Sequence, residues 1–143
     1  MAAPMAGTPG GEQRLRFKTF AFQRLPNGRC SAKVVLTWAD GREFTGESEG
    51  VISQAGELRC CAAAAVRALE RVVQPKMGLE LLGVKAVRAF DATVVIVSIS
   101  ARQDARTSRL VGAFLTDDDP PRGAALAVLN ATNRILGNFF TTR

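Results

Sequence analysis

The sequence predicts an α+β fold in which a β-β-β-α unit occurs twice, with the helices packed on antiparallel or mixed sheets and a pseudo-two-fold relation between the units. Two similar β-type runs, residues 32–36 and 92–96, lie about sixty residues apart. Each is followed by a turn, a further strand-like run and an alanine-rich helical segment, residues 62–73 and 124–136. Repetition at a fixed spacing indicates that one structural unit is used twice. Since neither unit can cover its apolar face alone, we expect the two to complete one core.

The length of 143 residues suits one domain with a sizeable core. We expect an Ala-, Gly- and Pro-rich disordered tail at 1–12 and a single domain at 13–143, with its two units at about 14–75 and 77–138. The tail lacks the pattern of a secretory signal, and no apolar run is long enough to span a bilayer. Three cysteines, two of them adjacent, make a poor disulfide framework, so a cytoplasmic protein with free thiols and no membrane contact is predicted.

The first unit is predicted from alternating apolar residues that are separated by Asn-Gly and Asp-Gly turn signals. Its predicted strands are residues 15–23, 31–38 and 42–49, and its predicted helix is residues 57–73. Gly46 indicates a weak point or bulge in the third strand. Ser53 has the side chain that a helix N-cap needs, and Pro75 ends the helix.

The second unit repeats this order. Its predicted strands are residues 79–89, 92–101 and 107–115, and its predicted helix is residues 122–136. Gly83 indicates a bulge, and the continuous apolar run at 92–101 is typical of a central strand buried on both faces. Three aspartates followed by two prolines mark the helix start, because acidic residues favour the N-terminal end of the dipole. Gly137 with Asn138 predicts its end, and the following Phe139 and Phe140 are expected to join the core or an interface.

The chain offers little of the chemistry that enzymes use. It contains no histidine and no tyrosine, and no glycine-rich phosphate-binding loop precedes a helix. Cys60 and Cys61 would point about 100° apart on a helix, which favours small core residues over a nucleophile or a chelating pair. Adjacent carboxylates at 117–119 could bind Mg²⁺ or Ca²⁺, but helix capping is the favoured interpretation. We therefore expect no enzyme, no catalytic residue, no metal site and no cofactor.

A net charge of +6 and a pI near 10.0 raise the alternative of nucleic-acid binding. Basic residues concentrate in the early part of the chain: Arg14, Arg16, Lys18, Arg24, Arg29 and Lys33. The favoured interpretation is that these residues lie on solvated strand faces, since net charge governs solubility more than function.

The predicted arrangement resembles a known family, the C-terminal regulatory (dimerisation) domain of 2-isopropylmalate synthase, which has the same doubled β-β-β-α topology. Three stretches carry the likeness: residues 32–36 with 40–41 and 45–50, residues 90–97, and residues 125–134. The likeness covers about residues 15–137. Residues 54–59, Gln-Ala-Gly-Glu-Leu-Arg, depart from the family's Gly-Pro-Val-Asp-Ala helix start.

This resemblance implies a stand-alone module that forms a homodimer and binds a small effector such as an amino acid, without a synthase activity. Amide groups at helix starts suit a carboxylate, and acidic side chains suit an amine. The candidate ligand-binding residues are Ser53, Gln54, Ala55, Gly56, Asp91, Asp117 and Asp118.

From residue 57 onward the predicted order, α-β-β-β-α, is also similar to double-stranded RNA-binding domains. Those domains hold phosphate with a lysine cluster at the start of their last helix. In this chain the corresponding position has three aspartates and Arg122, so the charge disfavours phosphate and the regulatory-domain resemblance ranks first.

Overall fold

Two three-stranded antiparallel sheets and two long helices make up the structure. The computed structural model describes residues 15–140, with the backbone alone for residues 134–140. Sheet 1 contains β1 (Arg16–Arg24), β2 (Arg29–Thr37) and β3 (Glu43–Val51), and helix α1 (Gln54–Val73) follows it. Sheet 2 contains β4 (Gly78–Ala89), β5 (Ala92–Gln103) and β6 (Arg106–Thr116), and helix α2 (Pro120–Phe140) follows it. The predicted α+β fold with a repeated β-β-β-α order is confirmed, whereas the predicted tail lies outside the described residues.

Each sheet begins with a strand that contains a β-bulge. The register shifts between Phe17 and Thr19 in β1, and between Leu81 and Gly83 in β4, where a bulge was predicted. A bulge adds one residue and so reverses the alternation of the side chains that follow it. Apolar residues on both sides of each bulge therefore share the inner face of their sheet. These residues are Phe17, Phe20 and Phe22 in β1, and Leu79, Leu81, Val84 and Ala86 in β4.

Gly46 and Gly112 occupy equivalent positions in the two units. The β2–β3 register is continuous at Gly46, so the bulge predicted there is wrong. A Cβ on Gly46 would overlap the backbone of Ala64 and Ala68 in α1. A Cβ on Gly112 would likewise overlap the backbone of residues 127 and 131 in α2. In both units, therefore, the third strand needs glycine because the following helix lies directly against its backbone.

The two helices join the sheets through one core. Helix α1 packs on β2, β3 and β4, helix α2 packs on β5 and β6, and the helices contact each other. Buried side chains from both units belong to one cluster, with Leu36 and Leu69 from the first unit and Ile99 and Val128 from the second. Small alanines along both helices permit these close approaches at the density of a protein interior. Neither helix has the length and apolar character, within the described residues, to cross a bilayer.

The helix starts are capped by side chains, as predicted. The Ser53 hydroxyl accepts a hydrogen bond of 2.9 Å from the amide of Gly56, and α1 begins at Gln54, three residues before the predicted start. At α2, the Asp119 carboxylate accepts a bond of 3.3 Å from the amide of Arg122. Each contact satisfies a backbone donor that the first turn would leave unpaired.

The predicted end of the last helix is wrong. The backbone of α2 continues through Gly137 and Asn138 to Phe140. A glycine inside a helix costs only about 1 kcal/mol and no proline follows, so nothing in the local sequence forces an end there. The expected roles of the Phe139 and Phe140 rings fall outside the described side chains.

Side chains from the helices bond to backbone groups of the strands at the sheet edges. Arg67 in α1 donates a hydrogen bond of 2.6 Å to the carbonyl of Glu47 in β3. On β4, the amide of Leu79 donates a bond of 3.3 Å to the Glu70 carboxylate of the same helix. In the second unit, Asn130 of α2 donates a bond of 2.6 Å to a carbonyl of β6. Unpaired edge groups of β3, β4 and β6 thus find partners within the chain.

Candidate functional site: the outer face of sheet 2

Strand β5 is buried on one face only. Val95, Val97 and Ile99 are buried against the helices, whereas Ile96 between them is 36% exposed. The predicted burial on both faces is therefore wrong for the single chain. Both helices lie on the inner side of the sheet, and no further element among residues 15–140 lies over β5 on the outer side.

The side chains beside Ile96 on the outer face of sheet 2 are also mainly apolar. Strand register places them in successive rows across the sheet: Val87–Val94–Leu115, Lys85–Ile96–Ala113, and Ser98–Val111. Val111 is 65% exposed and Leu115 is 58% exposed. We call the set Val87, Val94, Ile96, Val111, Ala113 and Leu115 the apolar outer face. A contiguous exposed apolar patch of this kind marks an interaction surface in soluble proteins.

The β4–β5 hairpin ends in an unusual turn beside this face. Phe90 and Asp91 have φ values of 55° and 60°, and the Phe90 ring is 95% exposed. Two-residue turns of this type normally use Asn-Gly or Asp-Gly, because a left-handed backbone costs other residues about 1–2 kcal/mol. The turn aspartate predicted at 91 is confirmed. An exposed aromatic ring in a strained turn does not stabilise the fold of the single chain.

Charges of opposite sign lie at the two ends of sheet 2. Asp91, Asp117 and Asp118 lie at the end where Thr93 pairs with Thr116. Three arginines lie at the other end, on or beside the β5–β6 hairpin: Arg102, Arg106 and Arg109. Glu80 and Asp104 also lie among the arginines, and Arg88, Asp119 and Arg122 also lie near the aspartates. The aspartate end thus has net negative charge and the arginine end net positive charge.

Sheet 1 presents a polar outer face. Strand register places polar residues along most of it: Thr19, Gln23, Ser31, Lys33, Thr37, Glu43, Thr45, Glu47 and Glu49. Several residues of the predicted basic surface form ion pairs here. Lys18 pairs with Glu43, and Arg29 pairs with Glu49 at 3.6 Å. On the inner side, Arg24 pairs with Glu57 of α1 at 3.0 Å. Nearby carboxylates thus offset much of the positive charge that would attract nucleic acid.

The predicted effector-binding residues fall into two groups. Ser53, Gln54, Ala55 and Gly56 form the start of α1, where the Ser53 hydroxyl is already bonded and a Cβ on Gly56 would overlap the carbonyl of Val51. Asp91, Asp117 and Asp118 lie at the aspartate end of sheet 2. Among the described residues, no hydrogen bond or ion pair joins the two groups.

The cysteines are core residues. Cys30, Cys60 and Cys61 are free and buried, and the Cys60 thiol donates a bond of 3.3 Å to the carbonyl of Ser48. Burial raises the pKa of Cys60 to about 11 and raises the pKa of Cys61 further, which disfavours the reactive thiolate. Over the same described residues, no three Cys, Asp or Glu side chains converge as a metal site would require.

No protein-family model matches this chain, and no curated protein matches it. The resemblance to the regulatory domain of 2-isopropylmalate synthase therefore stays a prediction.

Sequence reasoning missed Phe90, Val111 and Leu115 as surface residues. A signal was present, because apolar residues occupy both alternating phases of β5 and of residues 110–115. Those phases indicate two apolar faces but do not say what covers the second one.

Proposed function

We propose that the protein is a non-enzymatic module that self-associates as a homodimer through the apolar outer face of sheet 2. The observation that supports this most directly is the exposure of Ile96, Val111 and Leu115 side by side on one sheet. Monomers rarely expose a contiguous apolar surface of this kind without a partner.

A second copy of the chain suits this surface. In a two-fold dimer the same patch contacts itself, so an apolar face is complementary to its own copy without further design. Two sheets can pack face to face about 10 Å apart with their strands nearly aligned, which buries the side chains of both faces. Each Å² of apolar area removed from water contributes about 25 cal/mol. The doubled β-β-β-α order and its resemblance to a dimerisation domain agree with this proposal.

Binding of a small effector is a subsidiary part of the proposal. The helix starts at Ser53 and Asp119 already have side-chain caps, so the support for an effector is weaker than that for the dimer. A thermal-shift screen with amino acids and short carboxylic acids tests it. Stabilisation that is lost on Asp117→Asn would support binding at the aspartate end, and no stabilisation by any compound would oppose effector binding.

Nucleic-acid binding is the alternative function. It has less support than the dimer, because carboxylates on sheet 1 pair with several of the basic residues. Absorbance of the purified protein at low and high salt tests it. Binding that weakens steeply as salt rises would support a phosphate-binding surface. A purified protein that carries no nucleic acid and binds none at low salt would exclude it.

The test of the dimer is Val111→Gln, measured by light scattering and sedimentation over a range of protein concentrations. We expect the native chain to have the mass of a dimer and the variant to be largely monomeric, because a polar amide would enter the apolar contact.

Val51→Gln is the matched control. Val51 is a β-strand valine that is 57% exposed on the outer face of sheet 1, and its substitution should leave the dimer unchanged. A native chain that is monomeric at all concentrations, or a Val111→Gln variant that dimerises like the native chain, would refute the proposed dimer.

A further inference from the structure

We infer that the two copies pack with their strands antiparallel, so that the aspartate end of sheet 2 in one copy lies over the arginine end in the other. This inference rests on the proposed dimer and specifies its partner contact. It follows from the apolar rows at the centre of the outer face and from the opposite charges at its two ends.

Two simple two-fold arrangements bring the outer faces together with aligned strands. In one, the axis runs along the strands, and each end of the sheet lies over the same end of the partner. Asp117 and Asp118 would then lie near the partner's Asp91, and Arg102 over the partner's Arg102, although Arg109 would lie over the partner's Glu80. In the other, the axis runs across the strands, and opposite ends meet. Like charges placed together at an interface cost several kcal/mol, so the antiparallel arrangement is favoured.

The apolar rows fit the antiparallel arrangement. An axis through the Ile96 row places Ile96 over the partner's Ile96. On the edge strand β4 it also places the exposed Lys85 over the partner's Lys85, where both long side chains can extend into solvent. It also places the Leu115 row over the row that contains the partner's Val111, because these rows lie at equal distances on either side of Ile96. The Thr93–Thr116 row lies three residues from Ile96, so Asp117, the next residue, lies about four residues from Ile96 along the sheet. The Ser100–Arg109 row lies four residues away on the other side. The contact thus pairs Asp117 with the partner's Arg109 at the rim of an apolar centre.

The same arrangement brings the strained β4–β5 hairpin turn into contact with the partner. Phe90 and Asp91 lie at the tip between β4 and β5, and the equivalent position in the antiparallel partner is close to Arg102 in β5. A guanidinium over an aromatic face and beside a carboxylate is a favourable combination. The exposure of the Phe90 ring in the single chain is then explained by its use between chains.

Charge reversal tests the orientation. One variant combines Arg102→Glu with Arg109→Glu, a second combines Asp117→Arg with Asp118→Arg, and a third contains all four substitutions. Asp119 is left unchanged because it caps α2. Dimer dissociation constants are measured by sedimentation at low and high salt, with circular dichroism to verify the fold.

In the antiparallel dimer, each two-substitution variant should dissociate at least about tenfold more readily, and the four-substitution variant should regain most of the native affinity. High salt should weaken the native dimer. A native dimer that tightens in high salt, with reversal variants that dissociate like the native chain, would overturn the antiparallel orientation while leaving the dimer itself intact. A Val111→Gln variant that still dimerises, or a native monomer, would overturn both proposals.

Discussion

Sheets 1 and 2 have similar inner faces and different outer faces. In both, a bulge in the first strand gathers apolar side chains on the inner side, and a glycine in the third strand lies against the following helix. On the outer side, sheet 1 has ion pairs such as Arg29 with Glu49, whereas sheet 2 exposes Val111 and Leu115. The comparison indicates that the repeated unit fixes the fold through its inner face and leaves the outer face free to differ in function.

The largest effect is expected from two glycine substitutions, which test whether the inner faces of the two sheets are equivalent. Gly46→Ala and Gly112→Ala should each lower the free energy of unfolding by about 2–3 kcal/mol, because a Cβ would overlap the helix backbone and force the sheet and helix apart. Chemical denaturation gives the values. Gly83→Ala is the control, since no atom lies within 4 Å of a Cβ built there. A large loss at one of the two glycines and a negligible loss at the other would break the proposed equivalence of the units.

The fold was predictable because its signals are local. Turn pairs such as Asp40-Gly41, the cap at Ser53 and the alternation of apolar residues all depend on neighbours in sequence. The predicted bulge at Gly46 was wrong because glycine at that position serves a helix eighteen residues further along the chain. Sequence alone could not tell a strand geometry from a long-range contact there.

The candidate site was less predictable than the fold. The apolar phases of β5 predicted two buried faces, and the structure covers one of them within the chain. Periodicity reports how many faces are apolar, but the partner that covers a face is not part of the periodic signal. The same limit applies to Ser53 and Asp117, whose residue types suit both capping and ligand binding.

A smaller effect compares the first hairpin turns of the two sheets. Sheet 1 places Gly28 at a φ of 77°, whereas sheet 2 places Phe90 at 55°. Phe90→Asn should raise the unfolding free energy of the monomer by about 1 kcal/mol, because asparagine tolerates the left-handed region. Measured in the Val111→Gln background, this gain would show that Phe90 is strained in the single chain.

Two further measurements sharpen the role of Phe90. Asp91→Asn is the control, since an aspartate already tolerates its φ of 60° and should change stability little. In the native background, Phe90→Asn should weaken the dimer. A variant that destabilises the monomer would mean that the ring supports the fold and not the interface.

The last expected effect depends on pH and concerns the inner face of the first unit, which contains all three cysteines. The pKa of Cys60 is about 11 in the folded chain, above its ordinary value of 9.0. Between these pH values the unfolded chain loses the thiol proton and the folded chain keeps it, so stability should fall as pH rises from 9 towards 11. Thermal unfolding across this range measures the slope, and Cys60→Ala should reduce it. A slope unchanged by that substitution would assign the alkaline loss to other groups.

The helix side chains that bond to the strand edges decide what kind of assembly this chain can form. Arg67, Glu70 and Asn130 occupy backbone groups of β3, β4 and β6, and β1 has a bulge at a lysine. Strand edges blocked in these ways resist the lateral addition of further strands. Growth of the sheets from molecule to molecule is therefore disfavoured, and the dimer contact proposed above would close after two copies. The protein should stay a small particle at high concentration, where an exposed apolar sheet with open edges would form fibres.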